Sequence, residues 1–177
     1  MNRRLFLAVG LTGTVAACAS PSIEDFRAEK PILDLRRYFD GTVDAWGVVR
    51  DRDGTISQRF TVEMAASWRG DVGTLDEAFR YSDGRTQRRV WTIRKQGDRY
   101  VGTAADVVGD AIGEAAGNAL RFRYTLDYPY GNATVHLAVD DWMYLMDDDV
   151  LLNRSAISKF GVEIAQVFIS FRRRKGA

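Results

Sequence analysis

The residues best suited to chemistry gather in one short stretch of this chain. Asp140 and Asp141 stand beside Trp142, and the only histidine, His136, lies four and five positions before the two acids. Neighbouring side chains on a strand point to opposite faces, so His136, Asp140 and Trp142 share one face while Asp141 takes the other. An imidazole and a carboxylate on one face can work as general base and acid. The same residues fit a plainer arrangement, in which the inward Asp is a hydrogen-bonded acceptor and His136 lies at the surface. No activated nucleophile is visible, so the plainer arrangement is expected and catalysis is not. Asp147, Asp148 and Asp149 lack the alternating ligands and closing Glu of a calcium loop and read as a hairpin turn. With one histidine and one cysteine, a zinc site is hard to build, and no metal is expected.

A second set of side chains bears on binding. Trp46, Trp68, Trp91, Phe122, Tyr124 and Trp142 fall largely on one strand face, where they either line an apolar pocket or, more commonly, fill a core. Asp106 and Asn118 flank a glycine-rich segment, and Asn153 and Lys159 lie near strand ends. Such residues order the loops around a barrel mouth or, together with Arg88 and Asp141, supply polar contacts to something held inside. The candidate ligand-binding residues are therefore Trp46, Trp68, Arg88, Trp91, Asp106, Asn118, Tyr124, Asp141 and Trp142.

Strands must position these groups. Phe60, Val62, Met64, Ala66 and Trp68 alternate with polar or small residues, as do Leu120, Phe122, Tyr124, Leu126 and Tyr128, a period of two that sets one face on a core. Val90 to Ile93, Val135 to Met146 and Val162 to Phe171 are rich in β-branched and aromatic residues. Between them Asp53-Gly54, Asp83-Gly84, Gly97-Asp98 and Gly131-Asn132 supply hairpin turns. The spacing predicts an all-β, antiparallel, up-and-down lipocalin-like barrel of about eight or nine strands, a single domain over residues 32–177. A barrel of that size is either filled by side chains or holds one small ligand. Residues 32–39 read as a short helix or a first strand. Gly109, Gly113 and Gly117 recur every four residues and fit a strand or bulged loop better than a short helix or lid.

At the amino terminus Arg3-Arg4, the eleven-residue apolar run Leu5 to Val15, and Ala16-Ala17 have the three parts of a secretory signal. The run is too short to span a bilayer. Val15-Ala16-Ala17-Cys18 resembles a bacterial lipobox, which implies cleavage after residue 17 and a covalent diacylglycerol and N-acyl chain on Cys18, with no other cofactor. Two or more acyl chains anchor stably. Residues 1–17 are thus expected to be signal and 18–31, polar and with two of the three prolines, a lipidated tether. Ala19, in place of the Asp that retains lipoproteins at the inner membrane, points to the periplasmic face of the outer membrane. The 160 remaining residues carry 23 basic and 24 acidic side chains, net −1, so the membrane tie is lipid, and nucleic acid is excluded as a partner. With 46% hydrophobic and 11% aromatic residues the chain is no disordered one. A single cysteine excludes a disulfide framework. Arg172 to Lys175 read as a solvated cap after the last strand or as contacts to lipid phosphate.

Tyr38-Phe39-Asp40-Gly41, Ala45-Trp46-Gly47, Asp51 to Gly54, Gly102 to Gly109, Gly117-Asn118-Ala119, Asp140 to Leu145, Leu152-Asn153-Arg154 and Lys159-Phe160-Gly161 resemble the signature of a bacterial lipoprotein family, domain-of-unknown-function family 3833. The Asp-Asp-Trp-Met block is its most specific part. The resemblance implies a lipoprotein, and its members tend to be encoded near lipid-modifying enzymes, which implies envelope lipid biology; it carries over no catalytic residues. The expected function is a binding or carrier module for a hydrophobic or lipid-derived ligand, with an envelope structural or assembly factor engaging a membrane protein as the alternative. A lipid-active enzyme and a small transmembrane barrel are the remaining, less favoured, classes.

Overall fold

The computed structural model describes residues 21–175. The expected signal, residues 1–17, and Cys18 lie outside the described residues. Ten strands run β1 Gly41–Asp51, β2 Ile56–Arg69, β3 Val72–Tyr81, β4 Thr86–Gln96, β5 Arg99–Thr103, β6 Val107–Ala116, β7 Ala119–Tyr130, β8 Ala133–Leu145, β9 Val150–Lys159 and β10 Val162–Arg173. Each pairs antiparallel with its sequence neighbour, and β1 also pairs with β10, so the sheet closes into an up-and-down barrel. Closure leaves no unpaired edge. The strand count exceeds the expected eight or nine because segments such as β5, five residues long, are too short to show a period of two.

Alternation sets the inside. In β2 Phe60, Val62, Met64 and Ala66 are buried and their neighbours exposed, and in β8 Leu137, Val139, Asp141 and Leu145 point inward. The segment around Gly109 is strand β6 interrupted by a bulge between Val108 and Ile112, where Gly109 takes φ +68°. The bulge bends the strand.

Three inward-facing glycines sit directly opposite an aromatic: Gly47 on Phe60, Gly73 on Trp68 and Gly113 on Phe122. A Cβ on Gly113 would lie 2.2 Å from the Phe122 ring, and one on Gly47 2.3 Å from Phe60. Each ring therefore lies against the wall in the place a side chain would take. That is how a lumen rich in aromatics stays partly hollow.

One end of the barrel is closed by chain. Asp34 caps a single helical turn, α1 Leu35–Tyr38, by accepting from Arg36 N at 2.9 Å. Leu35 and Phe39 are each 2% exposed and fill the floor. Phe39 meets Phe171 edge to face at 5.7 Å, and its carbonyl accepts from Trp68 Nε1 at 2.9 Å. Lys95 Nζ donates to Asp34 Oδ2 at 2.6 Å, and the Tyr38 hydroxyl donates to the Asp149 carbonyl at 3.0 Å. The β1–β2, β3–β4, β5–β6, β7–β8 and β9–β10 turns surround the opposite end, the mouth.

Residues 22–33, most of them in the expected tether, form a strap along the outer wall. Ser22 and Asp25 cap a 3-10 helix, Ile23–Phe26. Phe26 packs on Trp142 and Tyr144 at 5.7 and 5.4 Å, and Ile23 is buried with Ala116 and Ala119. The strap crosses the β6–β7 turn so closely that a Cβ on Gly117, φ +54°, would stand 1.7 Å from the Phe26 carbonyl oxygen. Only glycine fits there. Among the described residues no helix is long and apolar enough to cross a membrane.

Candidate functional site

The lumen holds a cavity of about 770 Å³ that runs from Leu35 and Phe39 on the floor to Ser57, Gln87 and Tyr128 near the mouth. Its lower wall is apolar, with Met64, Leu75, Leu120 and Phe171 among the residues lining it. Trp91 stands midway, edge-on to Phe122 and Tyr124 at 6.0 and 5.4 Å.

A polar layer crosses the lumen at that level. Glu77 on β3 pairs in register with Arg89 on β4, and Phe122 on β7 with Asp141 on β8. In the closed order β3 and β8 are five strands apart in either direction, so the Glu77 and Asp141 walls face each other. Arg89 Nε donates to Asp106 Oδ2 at 2.9 Å from the β5–β6 turn. Asp141, 7% exposed, accepts from Ser155 Oγ at 2.7 Å and from the Asn153 amide. Asn153 also donates to the Trp142 carbonyl at 3.0 Å, tying β9 to β8. Burial pushes the Glu77 carboxyl up to about 7 against the pull of Arg89. Burial likewise raises Asp141 despite its two side-chain donors, and raises Tyr124. Glu77 Oε2 and Asp106 Oδ1 are shut off from solvent and have no hydrogen-bond partner among the described residues.

Of the sequence candidates, Trp91, Asp106, Tyr124 and Asp141 line this cavity. The others do not. Trp46 is half exposed on the outer wall, and Arg88 is an outer residue paired with Asp76. Both stand one residue off the inward parity. Trp142 is buried, but on the outside, beneath Phe26 and with Arg121 5.0 Å over its ring. Trp68 faces inward at the closed end, where it braces the floor and does not reach the cavity. Asn118 sits in the β6–β7 turn of the closed end, its amide on the Leu145 carbonyl at 3.3 Å, away from the mouth.

His136 lies on the outer face, 2.9 Å from Asp127 and 64% exposed, and Asp140 pairs with Arg121 at 2.6 Å. No imidazole therefore shares a face with the inward Asp141. Asp147 orders its turn by accepting from the Asp149 and Val150 amides. Arg174 pairs with Asp44 and Glu63 on the wall. Among the described residues no group of three or more His, Cys, Asp or Glu is placed to hold a metal ion.

Glu77, Arg89 and Ser155 are the lumen groups that sequence reasoning missed. Counting by twos from the inward Leu75 reaches Glu77, and counting back from Trp91 reaches Arg89 instead of Arg88.

Comparison with protein families matches residues 12–173 to the family described as "Protein of unknown function (DUF3833)". No curated protein matches the chain. Among solved structures it is similar to a de novo designed fluorescence-activating beta barrel, at 16% identity and TM-score 0.45 over 81% of this chain and 100% of the other. It is also similar to EF1p2_mFAP2b bound to DFHBI, at 13% identity and TM-score 0.43 over 80% and 100%. At those scores neither likeness bears on what this chain binds.

Proposed function

We propose that this chain, which belongs to the DUF3833 family, is a lipid-anchored envelope protein whose barrel binds or carries a small hydrophobic or amphipathic molecule, without catalysing its conversion. The observation that carries this reading is the cavity of about 770 Å³, closed at the floor and open at the mouth. Small-molecule sites are concave, mostly apolar and about 300–1,000 Å³, with a few converging polar groups. A protein that needed its core only for stability would fill this space, since interiors otherwise pack to crystal-like density.

The lipobox at Cys18 supports attachment by diacylglycerol and an N-acyl chain, and Ala19 supports the periplasmic face of the outer membrane. Ser22 follows Cys18 by four positions, at most about 14 Å of extended chain. The strap meets the barrel beside the Gly117 turn at the closed end. In this reading the closed end is held toward the bilayer and the mouth turns away from it, an arrangement that suits handing a ligand to a soluble or opposite-membrane partner. Native mass spectrometry of gently purified protein tests the binding reading. A stoichiometric small-molecule adduct is expected, and a consistently empty barrel that takes up no apolar probe overturns it. A Cys18→Ala variant recovered in the soluble fraction tests the anchor.

A second reading, an assembly factor engaging a membrane protein, is favoured by the outer wall. Trp46, Leu152 and Phe168 are 50%, 41% and 36% exposed and adjoin on β1, β9 and β10. Such a patch suits a protein contact. In-cell crosslinking from Trp46 that returns one stoichiometric partner, with no ligand in the lumen, would decide for it.

A further inference from the structure

We infer that the polar layer of the lumen is a cation subsite, which takes the protonated amine of an otherwise apolar ligand. The inference rests on the binding reading above and names the chemical class of what is bound.

The charged and titratable groups that line the cavity are Glu77 and Tyr81 from β3, Arg85 from the β3–β4 turn, Arg89 from β4, Asp106 from the β5–β6 turn, Tyr124, Asp127 and Tyr128 from β7, Asp141 from β8 and Asp51 from β1; β9 adds the neutral Asn153 and Ser155. Phe60 from β2 and Val167 from β10, which line the same cavity, are apolar. At the level of the layer Glu77, Asp106 and Asp141 share the Arg89 guanidinium, which is committed to Asp106 through two of its nitrogens, while Arg85 nearer the mouth is paired with Asp83. The free acceptors are Glu77 Oε2 and Asp106 Oδ1, both cut off from solvent. Glu77 as a whole is only 9% exposed, and that oxygen meets no hydrogen-bond donor among the described residues. Buried oxygens in that condition are rare in native proteins unless a bound group meets them.

An ammonium supplies what is missing: a positive charge and up to three N–H donors, with no acceptor of its own. The Trp91 ring already carries the Arg89 guanidinium at 6.0 Å, and the Tyr124 ring beside the layer suits a cation as well. At the layer and toward the mouth, the half-buried Phe79, Leu126, Ile157 and Val167 offer apolar surface for the rest of the molecule. A carboxylate head, as on a fatty acid, would meet net negative charge at the same level. The chemistry therefore selects an amine-bearing amphiphile against an acid of the same length.

Three probes of one chain length separate the possibilities: decylamine, 1-decanol and decanoate, titrated calorimetrically into the purified full chain at pH 8. Decylamine should bind about ten-fold tighter than decanol, and decanoate weaker than both. Glu77→Gln should abolish the preference for decylamine over decanol, both measured in that variant, with Asp141→Asn as the second variant should the first not fold. From pH 8 to pH 6 the amine's advantage should shrink in the unmodified protein, because Glu77 takes up a proton there while the amine stays charged. Decanol binding with no preference for decylamine, or with decanoate tightest, overturns the cation subsite and leaves the binding function standing. Failure of all three to bind overturns both.

Discussion

At the closed end of the barrel, the polar groups around the floor are matched in short pairs, Trp68 with the Phe39 carbonyl, Lys95 with Asp34 and Tyr38 with the Asp149 carbonyl, and the one unpartnered oxygen among the described residues there, Asn118 Oδ1, does not line the cavity. Halfway up the lumen Glu77 and Asp106 keep an oxygen with no partner, in a cavity left open. The same ten strands build both regions, so the fold does not force the difference. The floor follows the rules of a stable interior, and the layer above departs from them. Departures of this kind concentrate where a protein meets its ligand.

The largest effect is expected from the floor. Phe39→Ala removes a ring that is 2% exposed and seated on Phe171, and should cost about 3–5 kcal/mol in urea unfolding. A much smaller loss would mean that the floor is a loose lid, and the contrast between the two regions would go with it.

Glu77 should act in the other direction. Its carboxyl is pushed up to about 7 from 4.5, so the folded protein holds a proton that the unfolded chain has released between those values. Stability contributed by Glu77 is therefore full below about pH 4.5 and declines as pH rises through 7, by about 3 kcal/mol in all. Glu77→Gln should flatten that limb and be more stable than the unmodified protein at pH 8. Asp34 has the opposite sign. Burial raises its carboxyl, but Lys95 and the Arg36 amide outweigh this and hold it below the usual range. Its contribution is lost as pH falls through that lowered value, so floor and layer leave separate marks on one stability–pH curve.

Third in size is the strap. Gly117→Ala places a Cβ on the Phe26 carbonyl at a positive φ, and should cost about 2 kcal/mol from the left-handed backbone alone. Hydrogen exchange of the amides of residues 22–33 should rise, because the clash lifts the strap off Trp142. Unchanged exchange would show that the strap is held from elsewhere.

How far the sequence exposes each region follows from the periods involved. β2 and β7 show a clean period of two, and the inward placement of Asp141 follows from the parity of adjacent acids. The floor is hidden because α1 has four residues, less than the 3.6-residue period needs to repeat. The strap is hidden because Ile23 and Phe26 are isolated apolar residues in a polar, proline-flanked run, and what buries them, Ala116, Ala119, Trp142 and Tyr144, lies far along the chain on β6, β7 and β8. In β4 the mouth half reads Thr86-Gln87-Arg88-Arg89-Val90, where no apolar alternation marks a face. Trp91 alone sets the parity there, and only the ladder with β3 fixes it.

That one-residue ambiguity gives the smallest effect expected. Arg88 and Arg89 are chemically identical neighbours on opposite sides of one wall. Arg88 is 72% exposed on its side chain and pairs with Asp76 in water, where a pair of long, mobile, screened charges contributes little. Arg89 is 19% exposed and provides the positive charge between Glu77 and Asp106. Arg88→Ala should therefore leave urea unfolding, the pH profile and the ranking of the three lumen probes unchanged within error. Arg89→Ala strips the layer of its guanidinium and should displace all three. A measurable change of probe ranking in Arg88→Ala would mean that charge outside the wall is felt inside it, and that solvent screens the Arg88–Asp76 pair less than its exposure implies.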